Sequence, residues 1–266
     1  MTIKLHVLAS GSKGNASIIE NSNTGRALLI DCGICKRAFF ERCTAVGFDP
    51  GKLEAVLVTH EHIDHTRGLG VVLRGLAKQG VRPSLYASAA VRQASDEILC
   101  LQDAFDQQCF NKKDELELAG LRVFPFRTSH DAAESFGFRI EDTNGDALGY
   151  MTDTGVVSGE ALVYLRECRV LALESNHDSV MLQNGPYPYM LKKRIASDKG
   201  HLSNAQAAGA LEALLSTKLE MVVAMHISEN NNTYQIPRDT LSEVIARNTH
   251  SAQAYSSFQY RALSAL

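Results

Sequence analysis

One short run, VTHEHIDHTRG (58–68), constrains this chain more than any other stretch. It sets His60, His62, Asp64 and His65 within six positions, as H-x-H-x-D-H, directly behind the apolar run AVLVT (55–59). The apolar run reads as a strand and TRGLGVVLRGLAKQG reads as a helix, so the cluster falls at a strand-to-helix turn on a sheet edge. Successive side chains of a turn point in different directions, so four groups this close are not expected to converge on a single ion. Two neighbouring ions fit better. Imidazole and carboxylate together suit Zn²⁺, Fe or Mn²⁺, and a catalytic ion takes about three or four protein ligands while keeping a position for water. Two such ions need more donors than this turn supplies.

The rest of the chain supplies them at the ends of other apolar runs. Asp31 ends ALLID, His130 follows VFPFRTS, Asp153 follows LGYMT and His226 follows MVVAM. Any one of these alone reads as an ordinary core histidine or turn-capping aspartate. Together they describe strands delivering polar groups to a common edge, the arrangement an active site requires.

Strand-like runs recur at 3–9, 16–20, 27–31, 55–59, 84–87, 121–126, 135–140, 147–152, 169–174 and 221–225. Helical periodicity covers 66–79, 88–101, 158–167, 203–217 and 237–248, with Ser88 and Ser203 at N-cap positions and Pro237 in a first turn. The front half looks richer in hairpins and the back half alternates strand with helix. This predicts a mixed α/β (α+β) sheet system with helices on its outer faces. No linker or low-complexity tract divides the chain, so residues 1–266 are expected to form a single domain. The longest irregular stretch is 175–202.

At 266 residues and 45% hydrophobic content the chain can bury a large core. No apolar stretch is long enough to span a bilayer and no signal-peptide core forms at the start, so no membrane partner and a cytoplasmic location are expected. Six cysteines are scattered without a framework, and reduced thiols packed as small apolar groups are expected, Cys32, Cys35 and Cys43 included. A formal net charge of −3 offers no global attraction to nucleic acid. A local basic run, Lys192, Lys193, Arg194 and Lys199, outweighs Asp178 and Asp198 in its stretch.

THEHIDH with His130, Asp153 and His226 resembles the metallo-β-lactamase superfamily, whose fold is an αββα sandwich of two mixed sheets. The resemblance implies that His60, His62 and His130 hold one metal, that Asp64, His65 and His226 hold a second, and that Asp153 bridges them. It places Asp31 behind the ligands, orienting a metal-binding histidine. His62, where a glutamate would suggest oxygen-reducing di-iron chemistry, favours hydrolysis. LASGSKGNAS (8–17), LESNHD (173–178), PYPYMLKKRI (186–195) and DKGHLSN (198–204) resemble the YycJ/WalJ family in particular. That implies a two-metal phosphodiesterase acting as a 5′-exonuclease on DNA rather than RNA, with Zn²⁺ first and Mn²⁺ or Fe as substitutes. DCGICKRAFFERC (31–43) departs from that pattern.

In that mechanism the two metals lower the pKa of a bridging water and set the resulting hydroxide in line with phosphorus. Asp64, Glu174 and His201 are assigned to the chemistry, with Glu174 steering His201 as proton donor to the departing 3′ oxygen. GSKGN reads first as a tight turn, although its glycines also permit an anion-binding nest. Ser10, Gly11, Asn15, His177, Lys192, Lys193, Arg194 and Ser203 are therefore candidate substrate contacts, with Tyr187 and Tyr189 as stacking candidates. His6 and His250 read as structural. The competing functions are another hydrolase on the same edge, whether a tRNase Z-like nuclease, a small-molecule phosphodiesterase or a thioesterase or lactonase, and a non-catalytic metal- or DNA-binding module. Oligomeric state is left open.

Overall fold

The computed structural model describes residues 2–265. The chain opens with three hairpin-connected strands, β1 (Ile3–Ala9), β2 (Ala16–Asn21) and β3 (Arg26–Ile30). It then alternates: α1 (Lys36–Ala45), β4 (Leu53–Leu57), α2 (Ile63–Thr66), α3 (Leu69–Ala77), β5 (Ser84–Ala87), α4 (Ala89–Ala94), α5 (Asp96–Leu99) and β6 (Gln107–Cys109). A second series begins with β7 (Leu116–Leu118), β8 (Leu121–Arg127), β9 (Phe136–Glu141) and β10 (Ala147–Met151). It continues through α6 (Gly159–Leu165), β11 (Val170–Glu174), α7 (Ser179–Asn184), α8 (Tyr189–Ile195), α9 (Asn204–Leu214) and β12 (Met221–Met225). The last elements are α10 (Gln235–Arg247), β13 (Gln253–Ser256) and β14 (Leu263–Ala265).

Two seven-stranded sheets result, ordered β14-β1-β2-β3-β4-β5-β6 and β13-β12-β11-β10-β9-β8-β7. In each sheet the hairpin strands pair antiparallel and the strands that follow pair parallel, except that the last strand, β14, returns antiparallel beside β1. The expected contrast between a hairpin-rich front and an alternating back is therefore corrected, because each half contains both. Parallel neighbours need a crossover, and the helices provide it.

Between the sheets lies a core that includes Ile3, Leu5, Val7 and Ile19 from one side and Phe136, Phe138, Ile140 and Tyr150 from the other. Phe39, Leu69, Val72 and Leu76 seat α1 and α3 on the first sheet's outer face. Leu165, Leu211, Leu241 and Val244 seat α6, α9 and α10 on the second. The architecture is the αββα sandwich.

Every apolar run read as a strand lies within two residues of an observed one. The four strands without such a signal, β6, β7, β13 and β14, are the four sheet edges. An edge strand buries less and needs less apolar patterning. The periodic stretch 88–101 breaks into α4 and α5 at Ser95, whose hydroxyl accepts from Ile98 N. Ser88 and Ser203 do cap their helices, Ser203 through a capping box with Gln206. The irregular stretch 175–202 is corrected, since it holds α7 and α8; α8 buries none of its residues, and its apolar pair Leu191 and Ile195 is too short a stripe to read as a helix. α1 escapes for the same reason, with only Phe39 and Cys43 buried.

The cysteine expectation is half corrected. Cys32, Cys43 and Cys168 are buried, and burial pushes their thiols up, whereas Cys35, Cys100 and Cys109 are exposed. His6 pairs with Glu20 and His250 donates toward Ser216 O, both as structural histidines. No helix among the described residues is long and apolar enough to cross a membrane.

Phe138 is fully buried and packs edge-on against Phe110 across the inter-sheet core. Phe138→Ala is expected to destabilise the fold by about 3–5 kcal/mol. A urea denaturation midpoint unchanged from wild type would contradict this packing.

Candidate active site

Sheet direction gathers the site. β1 and β3 run alike because both are antiparallel to β2, and β4 is parallel to β3. In the second sheet β8, β10, β11 and β12 likewise run alike. The residues just beyond those strand ends, Ser10, Asp31, His60, His130, Asp153 and His226, with Glu174 closing β11, therefore meet at one edge of the sandwich. Three of them turn sharply: Asp31, Asp153 and His226 have φ values of 57°, 53° and 53°. A left-handed backbone at a non-glycine residue costs about 1–3 kcal/mol, and here it re-aims a side chain that a continuing strand would point elsewhere.

The H-x-H-x-D-H run begins after β4 and its last two members ride on α2. The loops after β1 and β3 grip this turn. Cys32 N donates to His65 O, Gly68 N to Cys32 O and Asn15 N to Asp64 O. Gly33 sits so close that a Cβ there would lie 1.6 Å from Asp64 O, so only glycine fits.

Asp31 is fully buried and accepts three hydrogen bonds, from Thr59 N at 2.8 Å, Thr59 Oγ1 at 2.9 Å and His65 Nδ1 at 2.7 Å. His65 is thereby fixed with Nε2 toward the cluster interior. Thr59 was not singled out in the sequence, although it stands immediately before the motif.

Ligand-capable atoms fall into overlapping groups, each within 4.8 Å: His60, His62 and His130; Asp64, His65 and His226; His60, His65 and Asp153; and Asp153, Glu174, His201 and His226. His62 Nδ1 and His130 Nε2 face each other at 3.2 Å, while His130 Nδ1 meets Gly200 O at 3.1 Å. Glu174 is the second hub. Its Oε1 lies 2.8 Å from His201 Nδ1 and 3.0 Å from His226 Nδ1. Its Oε2 accepts from the backbone of Thr154 and Leu202. Holding His226 as well as His201 was not foreseen.

The electrostatics favour a cation. Burial opposes ionisation of Glu174, yet His201 and His226 overcome it and hold the carboxyl down at about 2. Burial likewise works against a charged His226, but Asp153, Asp64 and Glu174 push it up to about 10. His65 is raised by Asp153, Asp31 and Asp64 against the same penalty. Burial keeps His60 and His130 neutral, with lone pairs to give. His60 Nε2, Asp153 Oδ2 and His226 Nε2 are buried without any hydrogen-bond partner. Buried polar atoms are rarely left so. Orphaned donors beside excess carboxylate fit divalent metal ions.

A cleft of about 250 Å³ opens over this edge, lined by Ser12, His62, Asp64, His130, Asp153, Asn176, Tyr187, Leu191, Arg194, Ile195, His201, His226 and Ser228. Of the expected substrate contacts, Arg194 reaches the cleft, where its Nε donates to Asp131 Oδ2 at 2.5 Å. Several others make contacts within the framework. Ser10 Oγ accepts from His226 N, Gly11 N donates to buried Asn15, and Asn15 Nδ2 lies 3.0 Å from His65 Nε2. Ser203 is spent on its helix cap. Lys192, Lys193 and His177 line a different cavity on the other side of α8, and Lys192 Nζ donates to Gln183 O. Tyr187 borders the cleft, while Tyr189 points to solvent at 75% exposure. Ser12, Asn176 and Ser228, which the cleft does present, carry no sequence signal beyond their neighbours.

A family model described as beta-lactamase superfamily domain matches residues 26–227. The chain belongs to the beta-lactamase superfamily. Within it, the chain is 32% identical over 245 residues to the exodeoxyribonuclease YycJ of Bacillus anthracis, covering 92% of this chain and 90% of that protein. It is 32% identical over 247 residues to the exodeoxyribonuclease WalJ of Streptococcus pneumoniae, covering 92% and 88%. Among solved structures, the metallo-beta-lactamase fold protein YhfI from Bacillus subtilis superposes with a TM-score of 0.73 over 100% of both chains at 16% identity, a likeness of fold. This superfamily member is a metal-dependent hydrolase.

Metal uptake is expected to be proton-linked. In the metal-free protein the neighbouring carboxylates push His226 up to about 10 and raise His65 above its ordinary value, so both rings favour an added proton. A metal must displace those protons, so affinity falls as pH falls. Chelator competition at about pH 6 and about pH 8 checks this, and equal affinities would contradict it. Asp31→Ala, which frees His65 Nδ1, is expected to weaken metal binding about 10–100-fold in the same assay.

Proposed function

We propose that this chain is a dinuclear phosphodiesterase that removes nucleotides from the 5′ end of DNA. The observation that carries the reading is the convergence of two donor triads on Asp153, beside a Glu174-oriented His201, at the floor of an open cleft. In this reading His60, His62 and His130 hold one ion, Asp64, His65 and His226 hold the other, and Asp153 serves both. Zn²⁺ is the first candidate and Mn²⁺ the second, since histidine and carboxylate accept either. When bound, the ions supply Lewis-acid stabilisation of phosphoryl charge and a water of lowered pKa.

The remaining work falls to the protein. His201 gives Nδ1–H to the Glu174 carboxylate, which fixes the ring and leaves Nε2 to face the leaving 3′ oxygen as proton donor. The His201 side chain is 18% exposed, open enough to meet substrate. Arg194 sits across the cleft, where a guanidinium suits phosphate oxygens. Leu191 and Ile195 form an apolar wall that limits water. The cleft's small volume suits a single terminal nucleotide more than a continuous strand. DNA as substrate is supported by the names of the relatives, both exodeoxyribonucleases.

Metal-stripped protein restored with Zn²⁺ or Mn²⁺ is expected to release mononucleotides from 5′-phosphorylated, 3′-end-labelled duplex. His201→Ala should lower kcat about 10²–10⁴-fold with metal content unchanged. Asp153→Ala should lose both metal and turnover. Faster turnover of a thioester or an RNA 3′ trailer than of DNA would replace this reading with one of its hydrolase rivals.

A further inference from the structure

On the outer face of the first sheet, between α1 and α3, runs a groove of about 470 Å³ lined by Gly75 and by six side chains, Cys35, Lys36, Arg37, Val71, Arg74 and Lys78, which meet it mostly through their carbon atoms. Four of these six are cations and none is a carboxylate. All six are exposed. Arg67 extends the row, because Arg67 and Gly68 keep near-helical backbone between α2 and α3. Positions 67, 71, 74 and 78 then fall on one helical stripe. Only Arg37 has an acidic partner among the described residues, Glu41 at 2.7 Å, on an ion pair that is itself open to solvent. Like charges spaced along one helix face weaken the helix, so folding does not favour this row. It stands out further in a chain of net charge −3.

The groove starts at the active-site rim. Gly33, whose backbone touches Asp64, precedes Cys35 by two residues, a Cα separation of at most about 7 Å. The Arg67 guanidinium donates to Gly33 O and to Lys13 O, beside Ser12 of the cleft. From Arg67 to Lys78 the stripe covers about 16 Å of helix axis. At about 3.4 Å per base step, that spans roughly five steps of a backbone.

We infer that this groove holds the phosphate backbone of the substrate as it leaves the cleft, through charge alone and without reading sequence. The inference rests on the nuclease reading and adds where the polymer lies. Its cations are independent of the metal edge, so the two can be tested apart.

The test compares wild type with a variant carrying K36Q, R37Q, R74Q and K78Q, and with a control carrying K112Q, K113Q, K218Q and R238Q. Each is measured for hydrolysis of a 5′-phosphorylated duplex of about 30 base pairs across a salt series. The groove variant is expected to raise KM about tenfold or more near 0.1 M salt and to flatten the salt dependence by roughly three to four in log–log slope. The control should keep the wild-type slope. A groove variant that keeps the wild-type KM and slope on DNA that wild type cleaves overturns the groove and leaves the nuclease standing. Wild type that cleaves no nucleic acid overturns both. Groove-dependent retention on phosphatidylserine vesicles, with no effect on DNA, assigns the row to a membrane surface and overturns the proposal.

Discussion

Carboxylates crowd one end of the seam between the two sheets: Asp31, Asp153 and Glu174 are almost wholly buried, and Asp64 stands at their mouth. Buried negative charge at this density is tolerable only beside positive charge and donated hydrogen bonds. The surrounding histidines answer that demand, and His65 and His226 are drawn toward protonation by it. Divalent ions answer it better, because they also satisfy the orphaned atoms of His60, Asp153 and His226.

The scaffold exists to make that crowding possible. Strands of like direction in both sheets end at one edge, and left-handed turns at Asp31, Asp153 and His226 swing their side chains inward. Each sheet contributes part of the set. The first brings Asp31 and the H-x-H-x-D-H turn; the second brings His130, Asp153, Glu174 and His226. A site split in this way is incomplete until the two sheets pack, so the apolar seam of Leu5, Val7, Phe138 and Tyr150 supports the site as directly as its polar groups do.

Glu174 ties two jobs together. One oxygen meets both His201 and His226, and the other is held by the backbone of Thr154 and Leu202. The imidazoles proposed as proton donor and as metal ligand thus share one buried anchor. Over them, α8 forms a roof that buries none of its own residues and is pinned by Arg194 to Asp131 and by the His201 N–H to Ile195 O. A lightly anchored roof of this kind is where a proteinaceous cleft can adjust to what enters it.

Much of the edge was legible because its residues end short apolar runs, and a continuous apolar run marks an interior strand buried on both faces. Asp31, the motif histidines, His130, Asp153, Glu174 and His226 all carry that mark. Direction was not legible: whether side chains beyond a strand end face substrate or framework depends on packing between distant segments. So Ser10, Asn15 and Ser203 turned inward to hold His226, His65 and a helix, while Ser12, Asn176 and Ser228 faced the cleft instead. The basic run split across α8 for the same reason, since a helix sends adjacent residues to opposite sides. Sequence by itself determined which groups gather, through the local pattern of strands and their ends. Tertiary structure alone decided what each group touches, and it also lined up the cations of α1 and α3, which lie far apart in the chain and meet only when both helices pack on the same sheet.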